Sequence, residues 1–269
     1  MSNPVEILYI IGAGHCGSTL LNLCLDRHSS VIGVSEIITL NNKKTDWSGD
    51  DFLLKNTFWS AVDRLMTKKY GYRITEVPFR LNSKLKNEDV ASQCNKAALE
   101  TILKISEKRI IADSSKNSKR LSALLGNPLF KVRVIYLVRD GRGIVHSYRR
   151  KYKNWWTGWY KLLQTDHAVR SLMNIYGADN WMTIRYEDMV TDLEKTMQKI
   201  CKFAGISFES SMLHPDTSDF NGIAGNRIVT RPIDSIKLDT AWKTEMSTIM
   251  RTFTTLAVNS FNTRYGYRK

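Results

Sequence analysis

Acidic residues, paired cysteines and long apolar runs are what this chain has little of. It carries 26 Asp and Glu against 40 Lys and Arg, a formal net charge of +14 over 269 residues. A surplus of that size points to a polyanionic partner: nucleic acid, an anionic surface, an acidic polymer or a multiply phosphorylated nucleotide. The four cysteines, Cys16, Cys24, Cys94 and Cys201, form no C-x-x-C pair and no metal-ligand spacing, so a disulfide or zinc framework is not expected and a reducing compartment is. Met1 to Glu6 contain no Lys or Arg, and the apolar run that follows stops at Gly12. That run is too short for a signal core or a membrane span. The expectation is a cytoplasmic protein with no membrane partner. Internal repeats and low-complexity tracts are also missing. The apolar fraction of 42% is that of an ordinary folded chain, which sets disorder aside.

What is present begins with one stretch, Ile10-Ile11-Gly12-Ala13-Gly14-His15-Cys16-Gly17-Ser18-Thr19-Leu20-Leu21. An apolar run leads into it and leucines at helical spacing follow, so it reads as strand, glycine-rich turn and helix. Such a turn lets backbone approach a bound group, and the helix start offers N–H groups to a tetrahedral anion. Further strands are expected over Val31 to Val34, beside the first, and over 109–113, 132–138 and 181–186. Helices are expected over 18–27, 52–70, 88–107, up to Leu125, 193–204 and 240–258. Strands alternating with helices imply an α/β fold: a P-loop-like three-layer α/β/α domain with a central, mainly parallel sheet. Residues 1–269 are expected to form a single domain, with a variable insertion over 41–87 and a late loop over 214–235. Every suspicious polar cluster falls at a strand's carboxyl end, where α/β sheets bind ligands.

Gly12 and Gly17 have the spacing of G-x-x-x-x-G-K-[ST], but Ser18 stands where that motif needs Lys, and no acidic pair is placed to hold magnesium. This disfavours an NTP hydrolase or a P-loop kinase. A cysteine phosphatase built on Cys16 is disfavoured too, because Asn22 occupies the place of the loop-closing Arg. A second cluster, Tyr136-Leu137-Val138-Arg139-Asp140-Gly141-Arg142, is followed by Ser147 eight residues after Arg139. An Arg leaving a strand and a Ser on the next helix can hold one phosphate together. Two anion cradles in one α/β domain suggest a nucleotide with phosphate groups at both its 5′ and 3′ ends.

In these segments the chain resembles the sulfotransferases that use 3′-phosphoadenosine 5′-phosphosulfate (PAPS). Gly14, His15, Cys16, Gly17, Ser18, Thr19, Leu20 and Leu21 are similar to that family's 5′-phosphosulfate loop, and Tyr136 through Ser147 to its 3′-phosphate motif. Arg185-Tyr186-Glu187-Asp188-Met189 resembles R-Y-E-D-L, Phe203-Ala204-Gly205-Ile206 resembles F-L-G-[IL], and Gly225-Asn226-Arg227 resembles a G-N-R element followed by Asp239-Thr240-Ala241-Trp242-Lys243. The flavour is that of the bacterial and carbohydrate-type branch. The resemblance implies PAPS as sulfuryl donor, PAP as product and no metal. The partners it implies are the nucleotide cosubstrate and an acceptor. The expected acceptor is a small molecule, of the class of a secondary metabolite such as an alkaloid toxin, with a saccharide as the alternative. The reading from a different class is a non-catalytic polyanion binder; spread lysines and no nucleic-acid motif speak against it, and against a nucleic-acid partner.

The resemblance also distributes roles. Cofactor contacts fall to Gly14 through Leu20, Arg139, Ser147 and Tyr186, and to Asn226, Arg227 and Arg231 in a loop that folds over the 3′-phosphate. Glu36, after the second strand, is the expected general base, with His167 and His214 as alternative bases. His146 is expected to face the cofactor side or the core, and His28 to end the first helix. Lys116 supplies fixed positive charge. His15 stands where many relatives carry Lys or Arg, and acts either as an imidazolium on the leaving oxygen, as a neutral donor, or as a shaper of the loop. Trp155, Trp156, Trp159 and Tyr160 put four aromatics into six residues; they either line an acceptor pocket or dock a helix on the core.

Overall fold

The computed structural model describes residues 3–41, 50–81, 87–218, 220–223 and 236–267. Strand β1 (Val5–Ile11) has apolar side chains on both faces, as a central parallel strand requires. Helix α1 (Ser18–Asp26) and β2 (Val31–Ser35) follow, then α2 (Asp50–Lys55), α3 (Thr57–Tyr70) and α4 (Glu88–Ser106). Strand β3 (Ile110–Asp113), α5 (Ser118–Leu125), β4 (Phe130–Val138), α6 (Gly141–Tyr152) and α7 (Trp155–Tyr176) come next. The chain then runs through β5 (Trp181–Arg185), α8 (Tyr186–Thr191), α9 (Leu193–Ala204), α10 (Trp242–Glu245), α11 (Thr248–Ala257) and α12 (Asn259–Arg264).

The five strands form one sheet in the order β2-β3-β1-β4-β5, parallel throughout. The period of two along β1 divides its contacts cleanly. Ile7, Tyr9 and Ile11 join one apolar cluster with α3, α4 and α5, and Leu8 and Ile10 join the other with α1 and α9. Helices therefore cover both faces, and the three-layer α/β/α expectation holds. The second strand does not lie beside the first: β3 is inserted between them. Local sequence order carries no information on this, because a parallel crossover can return to either near or distant positions.

Two expected helices are divided. Asn56 breaks 52–70 because its side chain accepts from the Trp59 N–H and starts α3 afresh. Ser247 does the same for α11 through the Met250 N–H, splitting 240–258. An N-cap residue inside an apolar-periodic run overrides the period. Along α4, Ala91, Asn95, Ala98, Leu99 and Ile102 face inward, whereas Val90 is exposed. Helix α7, with 22 residues, went unanticipated beyond its first turn.

The strand order arranges the polar carboxyl ends in a row. Glu36 follows β2, Lys116 follows β3, the glycine turn follows β1, Arg139 follows β4 and Tyr186 follows β5. Side by side, five strands span about 19 Å, so clusters more than a hundred residues apart in the chain become neighbours.

Candidate active site

The glycine turn is shaped by what presses on it. Gly17 has φ +100°, and a Cβ there would lie 2.5 Å from the Tyr186 ring. No L side chain adopts that backbone without strain, and none would fit. A Cβ on Gly14 would meet the Tyr148 hydroxyl at 2.3 Å. With Gly17 at the N-cap, α1 has no capping side chain, so the N–H groups of its first turn, from Ser18 through Leu20, remain available to an anion. Ser18, Thr19 and Leu20 are buried beneath the turn.

His15 sits on this turn with φ +66°. Its ring packs edge-on to Tyr148 at 4.9 Å and against Tyr152 at 5.8 Å. Burial, then the positive charges of Lys151, Arg139, Lys116 and Arg150, pull its pKa down to about 4. Burial and these cations disfavour the protonated ring, which speaks for the donor or loop-shaping role over the imidazolium. Cys16 is fully buried, and desolvation pushes its thiol up despite Lys116, which fits a packing residue and not a nucleophile.

Lys116 lies between the two halves of the site. Its Nζ is 2.5 Å from Glu36 Oε1 and 3.3 Å from Ser18 Oγ, so one ammonium links the expected base to the anion turn. Lys116 (φ +53°) and Ser35 (φ +55°), like His15, are non-glycine residues in the left-handed region. Such conformations are held only where the surroundings impose them. Ser35 O accepts from the Ser114 N–H at 2.8 Å, and the Glu36 N–H donates to Ile223 O at 2.9 Å. Beneath Lys116, Asp113 and Arg120 form a fully buried ion pair at 3.0 Å. Arg120 also donates to Phe79 O and Asn95 Oδ1, and Asp113 accepts from the Ser115 N–H. Asn117 caps α5 by accepting from the Arg120 N–H.

Arg139 is buried where β4 ends. It donates to His15 O at 2.9 Å and pairs with Asp239 Oδ2 at 3.0 Å, and its guanidinium lies 4.6 Å from the Tyr186 ring centre. It thereby joins the glycine turn to the start of α8 and to Asp239. Ser147, buried on α6, shares that helix with the end of the Arg139 loop. Asp140 caps α6 and holds Arg142, and is itself fixed by Asn262. Glu187 accepts from the Asp140 N–H and from Tyr267.

Local sequence does not identify Asp239 as a partner of Arg139, nor Tyr148, Asn262 and Ile223 as supports. Tyr148 follows Ser147 directly and was the one with a sequence signal; the others come from distant segments.

The remaining candidates stand elsewhere or outside the described residues. Asn226, Arg227 and Arg231 are outside them, as is most of the expected 214–235 loop. Trp155 stacks on Trp156 and meets Phe253, and Trp159 donates to Ala257 O. Trp156 and Tyr160 are exposed. Gly158 brings α7 onto Tyr148 of α6, where a Cβ would lie 2.8 Å away. Among the described residues no hydrogen bond or ring contact of these four aromatics reaches Glu36, and Trp155 and Trp159 pack against α11. His146 pairs with Glu245, His28 with Ser207 O, and His167 and His214 are exposed. Among the described residues no three His, Cys, Asp or Glu side chains gather as metal ligands would, and no helix is long and apolar enough to cross a membrane.

The profile described as "Sulfotransferase family" matches residues 8–210. A protein-tyrosine sulfotransferase of Drosophila melanogaster is 25% identical over 235 residues, 79% of this chain and 40% of that protein. The chain spans about half the length of the curated relatives it matches. Among solved structures, the sulfotransferase domain from the curacin biosynthetic pathway aligns with a TM-score of 0.63 at 17% identity, over 97% of this chain and 99% of that one. The sulfotransferase domain from the Synechococcus PCC 7002 olefin synthase aligns with a TM-score of 0.58 at 19% identity, over 97% and 96%. At those identities the two structures speak for the fold.

Proposed function

The chain belongs to the sulfotransferase family, and on that premise we propose that it moves a sulfuryl group from PAPS to a hydroxyl or amine of a small-molecule acceptor. The observation that carries this is the row of carboxyl ends, with Lys116 bonded to both Glu36 and Ser18. The residues present fit the donor. The uncapped start of α1 and the close-packed glycine turn suit the 5′-phosphosulfate. Buried Arg139, with Ser147 on α6, suits the 3′-phosphate, and Asp239 now holds the guanidinium that the phosphate would take. Tyr186, between Gly17 and Arg139, lies where the nucleotide passes from one cradle to the other.

Each side chain then has a part. Glu36 takes the proton of the acceptor as its oxygen or nitrogen attacks sulfur, forming the new S–O or S–N bond while the bond from sulfur to the phosphate oxygen breaks. Lys116 and the α1 amides stabilise the charge that collects on that leaving oxygen, and PAP departs. A sulfuryl group carries less charge than a phosphoryl group, so these groups suffice without a metal. Neutral His15 serves as a hydrogen-bond donor on the same turn. The preferred acceptor is a secondary metabolite. A tyrosine-like phenol is a second reading, favoured by the likeness to a protein-tyrosine sulfotransferase.

Calorimetric titration with PAP, ATP and an oligonucleotide tests the donor site. PAP is expected to bind, and Arg139→Ala to weaken it about ten- to a hundredfold, the worth of one charged hydrogen-bonding group. Tight binding of ATP or the oligonucleotide without PAP would overturn the reading. A screen of small phenols, amines, saccharides and a tyrosyl peptide with labelled PAPS identifies the acceptor class.

A further inference from the structure

Away from the active site, the outer edge of β5 is open. Among the described residues β5 pairs with β4 alone. Asn180 O accepts from the Val134 N–H on the β4 side, so by alternation Thr183 directs its N–H and C=O to the open side. An open edge is a template for another strand, and proteins ordinarily cover or blunt it.

A groove of about 790 Å³ lies along this edge. Met182, Thr183 and Ile184 form its floor, α9 one wall with Phe203, and Tyr265 the other. The walls come from opposite faces of the sheet, since α9 packs in one apolar cluster and Tyr265 against the other. The groove is thus flanked from both faces of the sheet, with β5 between its walls. Its rim is basic: Arg185, Lys199, Lys202 and Arg264 line it against one carboxylate, Asp188. Arg264 is tied to Asp166, whereas exposed Lys199 and Lys202 form no ion pair among the described residues. That charge balance disfavours a second copy of this +14 chain and suits an acidic partner.

We propose that the β5 edge is a docking site for an extended acidic segment of a partner protein, which adds as a strand beside Thr183 and sets its carboxylates against Lys199 and Lys202. Main-chain hydrogen bonds to the edge give affinity, the apolar floor takes alternate side chains, and the lysines select charge. None of these residues belongs to the sulfuryl-transfer machinery.

Fluorescence anisotropy with a labelled peptide alternating Val and Glu, and its Val–Lys counterpart, tests this on the full chain. The Glu peptide is expected to bind and the Lys peptide not. The double variant Lys199→Glu/Lys202→Glu is expected to lose about tenfold or more in affinity with PAP binding unchanged. Thr183→Pro removes an N–H that β4 does not use, a substitution tolerated at sheet edges, and is expected to abolish peptide binding at nearly normal thermal stability. The charge variant, on an exposed helix face, keeps the test decisive even if Thr183→Pro fails to fold. Absence of Glu-peptide binding, equal binding of both peptides, or full binding by either folded variant overturns the proposal. So does a wild-type dimer in sedimentation that Thr183→Pro dissociates while the Glu peptide does not bind.

Discussion

At the scale of the residue, the site depends on which groups carry charge before substrate arrives. Lys116 is held between Glu36 and Ser18, so the expected base and the anion turn share one ammonium. Glu36→Gln should therefore retain PAP binding and lower kcat on the order of 10²- to 10⁴-fold, read by single-turnover assays with labelled PAPS; a near-normal rate would move the base elsewhere. His15 gives a pH signature. Its folded-state pKa, about 4, lies below the ordinary value of 6.5, so its contribution to stability is fully present above about pH 6.5 and is lost as pH falls toward about pH 4. His15→Gln lacks that contribution. Thermal melts between those limits should show the variant losing less stability than the parent protein, and parallel losses would place the neutral ring in doubt.

At the scale of the element, the glycine turn and α6 are fitted to each other. Gly14 leaves room for the Tyr148 hydroxyl, and Tyr148 in turn walls His15. Gly14→Ala should cost about 1–3 kcal/mol as an overpacked contact and weaken PAP binding. Because the nearest atom is the phenolic oxygen, Tyr148→Phe in the same chain should restore part of both losses. A double-mutant cycle on melting and PAP affinity measures that coupling, and strict additivity would show that the hydroxyl is not the obstacle. The elements themselves were largely legible. Strand β1 and helix α9 begin and end where the apolar pattern starts and stops. The misreadings have local causes: the caps at Asn56 and Ser247 interrupt periodic runs, and α7 begins among aromatics whose inner and outer faces only packing distinguishes.

At the scale of the whole molecule, segments far from the site hold it in place. The Asp113–Arg120 pair is buried beneath Lys116, and Arg120 is held by Phe79 and Asn95 from outside the sheet. Arg120→Met leaves the Asp113 carboxylate buried without its partner and should cost about 3–5 kcal/mol, visible as a lower denaturation midpoint. The Ser114–Asn117 loop carries Lys116, so turnover should fall further than PAP affinity, and an unchanged kcat would show that the pair supports the fold alone. On the other side, Asn262 near the end of the described chain fixes Asp140 and the start of α6. The sequence motifs thus describe the surface of a site whose rigidity comes from residues outside them.

The sequence by itself determined the layered α/β fold, the glycine turn with its missing Lys, and the Arg139–Ser147 spacing across a strand end and the next helix, because local spacing records strand, turn and helix directly. Only the tertiary structure decided the row from Glu36 to Tyr186, since it depends on β3 entering between β2 and β1 and on β4 taking the other side of β1. It also sets the direction in which the His15 pKa moves. The sequence offers three roles for that residue, and the depressed pKa that bears on them comes from burial and from four cations gathered from three separate loops and helices. Proton affinity is set by distance and dielectric through space, and neither is written along the chain.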